Sequence, residues 1–175
     1  HLCDRRQRQM CIRDRVCALR WEDIDFRKAV LHVRSTVARV RGTDGGTATR
    51  LIIDTPKTKS SLRDIPLSRQ LMAVLLPLYE KRRSEYVISD KSGFVSPRTY
   101  EYRFHRVLDR CGLPSINYHA LRHTFATRCI ELGVDVKTLS EILGHANVST
   151  TLNTYVHSSM ERKREQLEKL FVESY

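Results

Sequence analysis

The sequence predicts an α+β domain, mainly helical, with a small three-stranded antiparallel sheet near the N-terminus. Three observations carry that expectation. Short β-branched segments separated by turn residues fill residues 28–68. From Ser68 onward, apolar residues recur at helical spacing between capping residues and glycines. With 175 residues and 41% hydrophobic content, the chain is large and apolar enough for one real core.

The elements follow in order. "VCALRWEDIDF" (16–26) reads as the end of a helix running into a short loop. "KAVLHVRSTV" (28–37) reads as a strand, "RGTDGG" (41–46) as a turn, and "TRLIIDTPKT" (49–58) and "SLRDIPLS" (61–68) as two further strands. Ser68 can cap a helix with Leu71, Val74, Leu75 and Leu78 on one side, and Pro77 inside it predicts a kink or an early end. In "SPRTYEYRFHRVLDRCG" (96–112), Ser then Pro starts a helix and Gly ends it, with Phe104, Val107 and Leu108 as the buried face. "HALRHTFATRCIELG" (119–133) closes on Gly133, with Leu121, Phe125 and Cys129 turned to the core. Asp135 caps "VKTLSEILG" (136–144), closed by Gly144, and a further helix starts at Ser149. "MERKREQLEKLF" (160–171) is a charged helix with Leu167, Leu170 and Phe171 on one side.

Charge narrows the function. Lys and Arg number 31 against 20 acids, a net charge of +11, which draws the chain to polyanions such as nucleic acid. No run of 18 apolar residues predicts a membrane span, and no signal peptide opens the chain, so a cytosolic protein is expected. The five cysteines are odd in number and contain no C-x-x-C pair, which argues against a zinc site or a disulfide framework. Cys17, Cys111 and Cys129 stand among apolar residues and read as core packing.

The chemistry gathers late in the chain. His119 and Arg122 stand three apart and share a helix face. His145 follows Gly144 just past a helix end, and Tyr155 comes ten residues later. Taken singly, each has an ordinary explanation: a solvated helix face, a histidine meeting a helix dipole, a packing tyrosine. Together, "HALRHTFAT", "LGH" and the spaced tyrosine resemble the catalytic carboxyl-terminal half of tyrosine recombinases, most of all the integrases of phages and conjugative transposons. "CALRWEDIDF", "PKTKSSLRDIPL" and "SPRTYEYRFHRVL" extend the resemblance over nearly the whole chain from Val16 on.

The resemblance implies a site-specific DNA recombinase catalytic domain acting on double-stranded DNA. In it, Tyr155 attacks the scissile phosphate to form a 3′-phosphotyrosyl intermediate, and strand exchange and religation follow. Arg122 clamps the phosphate oxygens, His119 serves as acid/base or phosphate ligand, and His145 donates to the same phosphate. Lys57 protonates the leaving 5′ oxygen, with Lys59 as the competing residue. No metal, ATP or other cofactor is implied, since the cations supply the charge that Mg²⁺ supplies in many nucleases. The resemblance also implies a nucleoid-associated cytoplasmic protein with no membrane contact. It would work as a tetramer on DNA, with a tail helix at about 159–172 packing in trans.

One departure stands at the front. The family carries its first catalytic arginine nine residues before the tryptophan of "LRW", in a pattern like R-x-G-E-x-x-x-L-x-W. In register, position 12 is Ile, 14 is Asp and 15 is Arg. Arg13 is one residue off, about 100° round a helix. Residues 1–15 therefore read as a lead-in foreign to a domain of residues 16–175, with the look of translated adapter sequence. The other reading is a divergent native segment in which Arg13 serves. Two alternatives for function remain at this point: a catalytically impaired DNA-binding fragment of the same fold, and a type IB topoisomerase-like enzyme.

Overall fold

Among the described residues, buried apolar side chains form three clusters. The computed structural model describes residues 12–41, 49–56, 61–91, 93–155, 164 and 167–168. They divide into two units, His1–Thr124 and Phe125–Tyr175, with the boundary inside one helix.

In the first unit, α1 (12–18) buries Cys17 and Ala18 completely against Val37, Leu51 and Ile53. A 3-10 turn at Trp21–Asp23 then leads into β1 (Ile24–Asp25), held by Asp23 accepting from the Arg20 amide at 3.0 Å. Asp25 accepts from the amides of Arg27 and Lys28, which turns the chain back into β2 (Val30–Val33). The expected strand over 28–37 is two strands: at Arg34 and Ser35 the chain leaves one sheet and begins β3 (Thr36–Arg41) in another. β3 pairs along its whole length with β4 (Thr49–Asp54) as a two-stranded ribbon. The three-stranded antiparallel sheet is built instead in the order β1–β2–β5, with β5 (Arg63–Pro66) set by Leu31 opposite Ile65.

α2 (Arg69–Glu80) is capped by Ser68 as expected. Pro77 does not end it: the helix runs on past the proline to Glu80. Its packed side differs from the expected one. Met72, Leu75 and Tyr79 meet Trp21, Ile24 and Leu67, whereas Leu71, Val74 and Leu78 are exposed. The Tyr79 ring decides this, lying 5.6 Å from Trp21 and 4.7 Å from Phe26. A short ribbon of β6 (Ser89–Asp90) and β7 (Gly93–Phe94) leads to α3 (Pro97–Arg110), whose Ser96 cap accepts from Thr99. Leu108 is buried there and Phe104 meets Tyr118, but Val107 is exposed, and so is Cys111.

α4 (His119–Glu131) crosses into the second unit, followed by α5 (Val136–Leu143) and α6 (Val148–Tyr155). The core here joins Ala126, Ile130, Leu139, Leu143 and Tyr155. The core-facing residues of α4 are thus Ala126 and Ile130, with Cys129 beside them. Leu121 and Phe125 are exposed, contrary to the sequence expectation, because the helix turns a neighbouring stripe inward. α6 starts one residue earlier than expected, with Asn147 rather than Ser149 at its head, accepting from the Ser149 amide at 2.8 Å. The expected tail helix lies largely outside the described residues, which are helical at 164 and 167–168. Among the described residues, no helix is long and apolar enough to cross a membrane.

Trp21 holds the first unit's second cluster together. Trp21→Ala is expected to destabilise that unit by about 3–5 kcal/mol, as large-to-small changes at buried aromatics do. Chemical denaturation followed by circular dichroism checks this; a loss below about 1 kcal/mol would mean the cluster closes without it.

Candidate active site

α4 begins where Asn117 accepts from the Ala120 amide at 2.9 Å. That cap sets the first turn, and with it His119 and Arg122 on adjoining turns of one face. Nδ1 of His119 is buried without a hydrogen-bond partner among the described residues. Its ring meets that of His123 edge-on at 4.8 Å. Burial, and after it His123 and Arg122, holds His119 below the ordinary histidine range. The shift favours the neutral imidazole, which donates through one nitrogen and accepts through the other.

Arg122 belongs to a cluster of guanidiniums. Arg63 on β5 is pulled down to about 10, mostly by burial and then by Arg15 and Arg122. Arg15 on α1 donates to Ser61 Oγ at 2.7 Å, and its Nε–H is buried with no acceptor among the described residues. Arg15, Arg34 and Arg63 line one cleft of about 120 Å³, walled by Ile12, Leu31 and Ile65. Arg13 turns elsewhere: it is paired with Glu101 of α3 and is only 15% exposed. The one-residue slip thus takes Arg13 into an ion pair and leaves Arg15 beside Arg63.

Arg15 and Arg63 have no role in the sequence reading. For Arg63 a signal was available. Along "RDIP" the alternation of a strand puts Arg63 on the same side as Ile65, a charge on the inner face. For Arg15 there was none, since only the packing of α1 shows which way it points.

In the second unit, α5 ends on Gly144 with φ of 69°, the left-handed conformation that a residue without Cβ adopts at little cost. The Gly144 amide bonds to the Glu141 carbonyl and the His145 amide to the Ser140 carbonyl, each at 3.0 Å. This closed cap fixes the backbone of His145. Nδ1 of the ring lies 2.7 Å from the hydroxyl of Thr151, which is wholly buried on α6. Tyr155 is four residues further along the same helix, its ring packed among Leu139 and Leu143. The structure thus groups His119 and Arg122 with Arg15 and Arg63 in the first unit, and His145 with Thr151 on the helix of Tyr155 in the second. Lys57 and Lys59 lie outside the described residues.

Comparison with known proteins bears on this arrangement. The phage integrase family matches residues 13–162. A protein named tyrosine recombinase XerC-like, from Caldanaerobacter subterraneus subsp. tengcongensis, is 34% identical over 87% of this chain and 44% of its own length. The transposase of transposon Tn916 from Enterococcus faecalis is 27% identical over 85% of this chain and 39% of its own. Among solved structures, the Tn1549 transposon integrase in complex with circular intermediate DNA superposes with a TM-score of 0.74 at 28% identity, over 90% of this chain and 55% of that one. The chain spans less than half the length of these two curated relatives.

One measurement probes the site's electrostatics through pH. A histidine held below its ordinary value binds fewer protons folded than unfolded, so its contribution is complete above about pH 6.5 and is lost as pH falls through the depressed value. Wild-type protein should therefore lose more stability than His119→Gln between about pH 7 and pH 5.

Proposed function

The chain belongs to the phage integrase family, and from that membership we propose that it is the catalytic domain of a site-specific DNA recombinase. The observation that carries the reading is the match over residues 13–162, a span that contains His119, Arg122, His145 and Tyr155. The net charge of +11 supports double-stranded DNA as substrate.

The mechanism follows from charge. A phosphodiester repels an anionic nucleophile, so attack needs cations and hydrogen-bond donors aimed at the phosphate oxygens, where they stabilise the added charge of the transition state. Arg122 and His145 fill that role, and His119, held below the ordinary histidine range, serves as acid/base or as a further ligand of the phosphate. The Tyr155 hydroxyl attacks phosphorus as its proton departs, forming the 3′-phosphotyrosyl bond. The P–O bond to the 5′ oxygen breaks, and Lys57 gives that oxygen its proton. A 5′ hydroxyl from a partner strand then attacks the phosphotyrosine, reversing the step with the bond energy conserved. A full recombination cycle requires a tetramer on DNA, with the segment at about 159–172 reaching a neighbouring protomer, and places the protein at the nucleoid.

The first arginine decides how active the chain is. Position 12 is Ile and Arg13 is paired with Glu101, which favours a second reading: a domain that binds DNA but cleaves it poorly. In that case Arg15, beside Arg63, supplies a substitute guanidinium in reduced register. Residues 1–15 are then foreign to the domain, and Ile12→Arg with Asp14→Gly and Arg15→Glu restores full cleavage.

A nicked suicide substrate, which traps the covalent adduct, tests the proposal. Tyr155→Phe should abolish the adduct while changing DNA affinity by less than about threefold, since one hydroxyl adds little to a basic interface. A covalent band that persists in the Phe variant would rule out Tyr155 as the nucleophile. In the same assay Lys57→Ala should be slow on ordinary DNA and rescued by a 5′-bridging sulfur, which leaves without a proton.

A further inference from the structure

Thr151 is the one fully buried polar side chain among the described residues that touches a candidate site residue. A buried hydroxyl without a partner is costly, and this one is spent on the His145 ring at 2.7 Å. It therefore ties two elements that the site needs together. His145 hangs from the end of α5, its backbone already fixed by the amide bond to Ser140. Thr151 sits one helical turn before Tyr155 on α6, on the same side, and both are buried.

We propose that Thr151 is a positioning residue that donates its hydroxyl hydrogen to Nδ1 of His145 and so keeps the other ring hydrogen on Nε2. The inference rests on His145 acting as a phosphate donor, as proposed above. A neutral imidazole carries one N–H, and the partner of one nitrogen decides the state of the other. With Nδ1 accepting from Thr151, Nε2 is the donor, which is the form a phosphate oxygen needs. Without the threonine hydroxyl, Nδ1 loses the donor that sets its state, and the ring hydrogen can exchange between the two nitrogens. Donation to the phosphate is then available only part of the time. Because the anchor is carried on α6, any shift of the tyrosine helix also moves the histidine, so nucleophile and donor stay in register.

The test uses the full chain with Thr151→Val, which keeps the shape and removes the hydroxyl, and Thr151→Ser, which keeps the hydroxyl. The rate of adduct formation on suicide substrate should fall about tenfold to a hundredfold in Thr151→Val, as when an outer partner of an active imidazole is removed. It should stay within about threefold of wild type in Thr151→Ser. In a His145→Ala background, Thr151→Val should change the rate by less than about twofold, because its effect passes through the ring. Nitrogen NMR of the wild-type imidazole should show the Nε2–H tautomer, and Thr151→Val should give a mixture. A Thr151→Val chain with wild-type rate would overturn the proposal. So would an equal loss in the His145→Ala background, which marks a merely structural role, or an Nδ1–H tautomer in the wild type. If the wild type forms no adduct at all, the recombinase reading fails, while the imidazole spectrum still decides whether Thr151 sets the tautomer. Should Thr151→Val fail to fold, Thr151→Ser and the wild-type spectrum carry the decision.

Discussion

A gathering of guanidiniums around Arg63 is the constraint on which the first unit turns. Burial, and after it the charges of Arg15 and Arg122, pulls Arg63 down to about 10. The fold accepts this because the surrounding packing is indifferent to it: Cys17, Ala18 and Val37 hold α1 in place, and the β2–β5 pairing holds Arg63. A site stocked with cations against the local electrostatic gradient is prepared for an anion, and a DNA phosphate is one such group. At His119 burial acts first and the neighbouring His123 and Arg122 add to it, holding the imidazole below its ordinary range.

The second unit solves a different problem, which is precision. Two short helices carry its functional side chains, and helices of eight residues have little stability of their own. Their placement comes from the ends. Asp135 caps α5, Gly144 closes it, and Asn147 heads α6. Leu139, Leu143 and Tyr155 then lock the pair through one apolar cluster. The ring of Tyr155 belongs to the core, and its hydroxyl is the proposed nucleophile. The ordinary explanation of this tyrosine and the functional one are not in competition.

Arg13 and Arg15 show why the front of the chain resists reading. Both are arginines near the position where the family carries one, and sequence register favoured Arg13 by distance. Burial decides otherwise: Arg13 finds Glu101, more than eighty residues away, and Arg15 finds Ser61. The half-buried carboxyl between them, Asp14, is pushed up to about 6, mostly by burial and against the pull of both arginines.

Local chemistry was legible in the sequence by itself. Ser68, Ser96 and Asp135 cap their helices, and Gly112, Gly133 and Gly144 end them in the left-handed conformation, because a cap depends on neighbours within a few residues. The order of His119, Arg122, His145 and Tyr155 was legible for the same reason, since spacing along a helix or just past its end is a local quantity. What only the tertiary structure decided is which face goes inward and which distant groups meet. Met72 rather than Val74 faces the core because Tyr79 docks on Trp21 and Phe26. The strand expected over 28–37 became two because β1 and β5 pair with one half and β4 with the other. Arg63 gained its importance only when Arg15 and Arg122, far away in sequence, were brought near it; Thr151, only six residues from His145, gained its own when burial on α6 set its hydroxyl against the ring, and burial has no counterpart in a short window of residues.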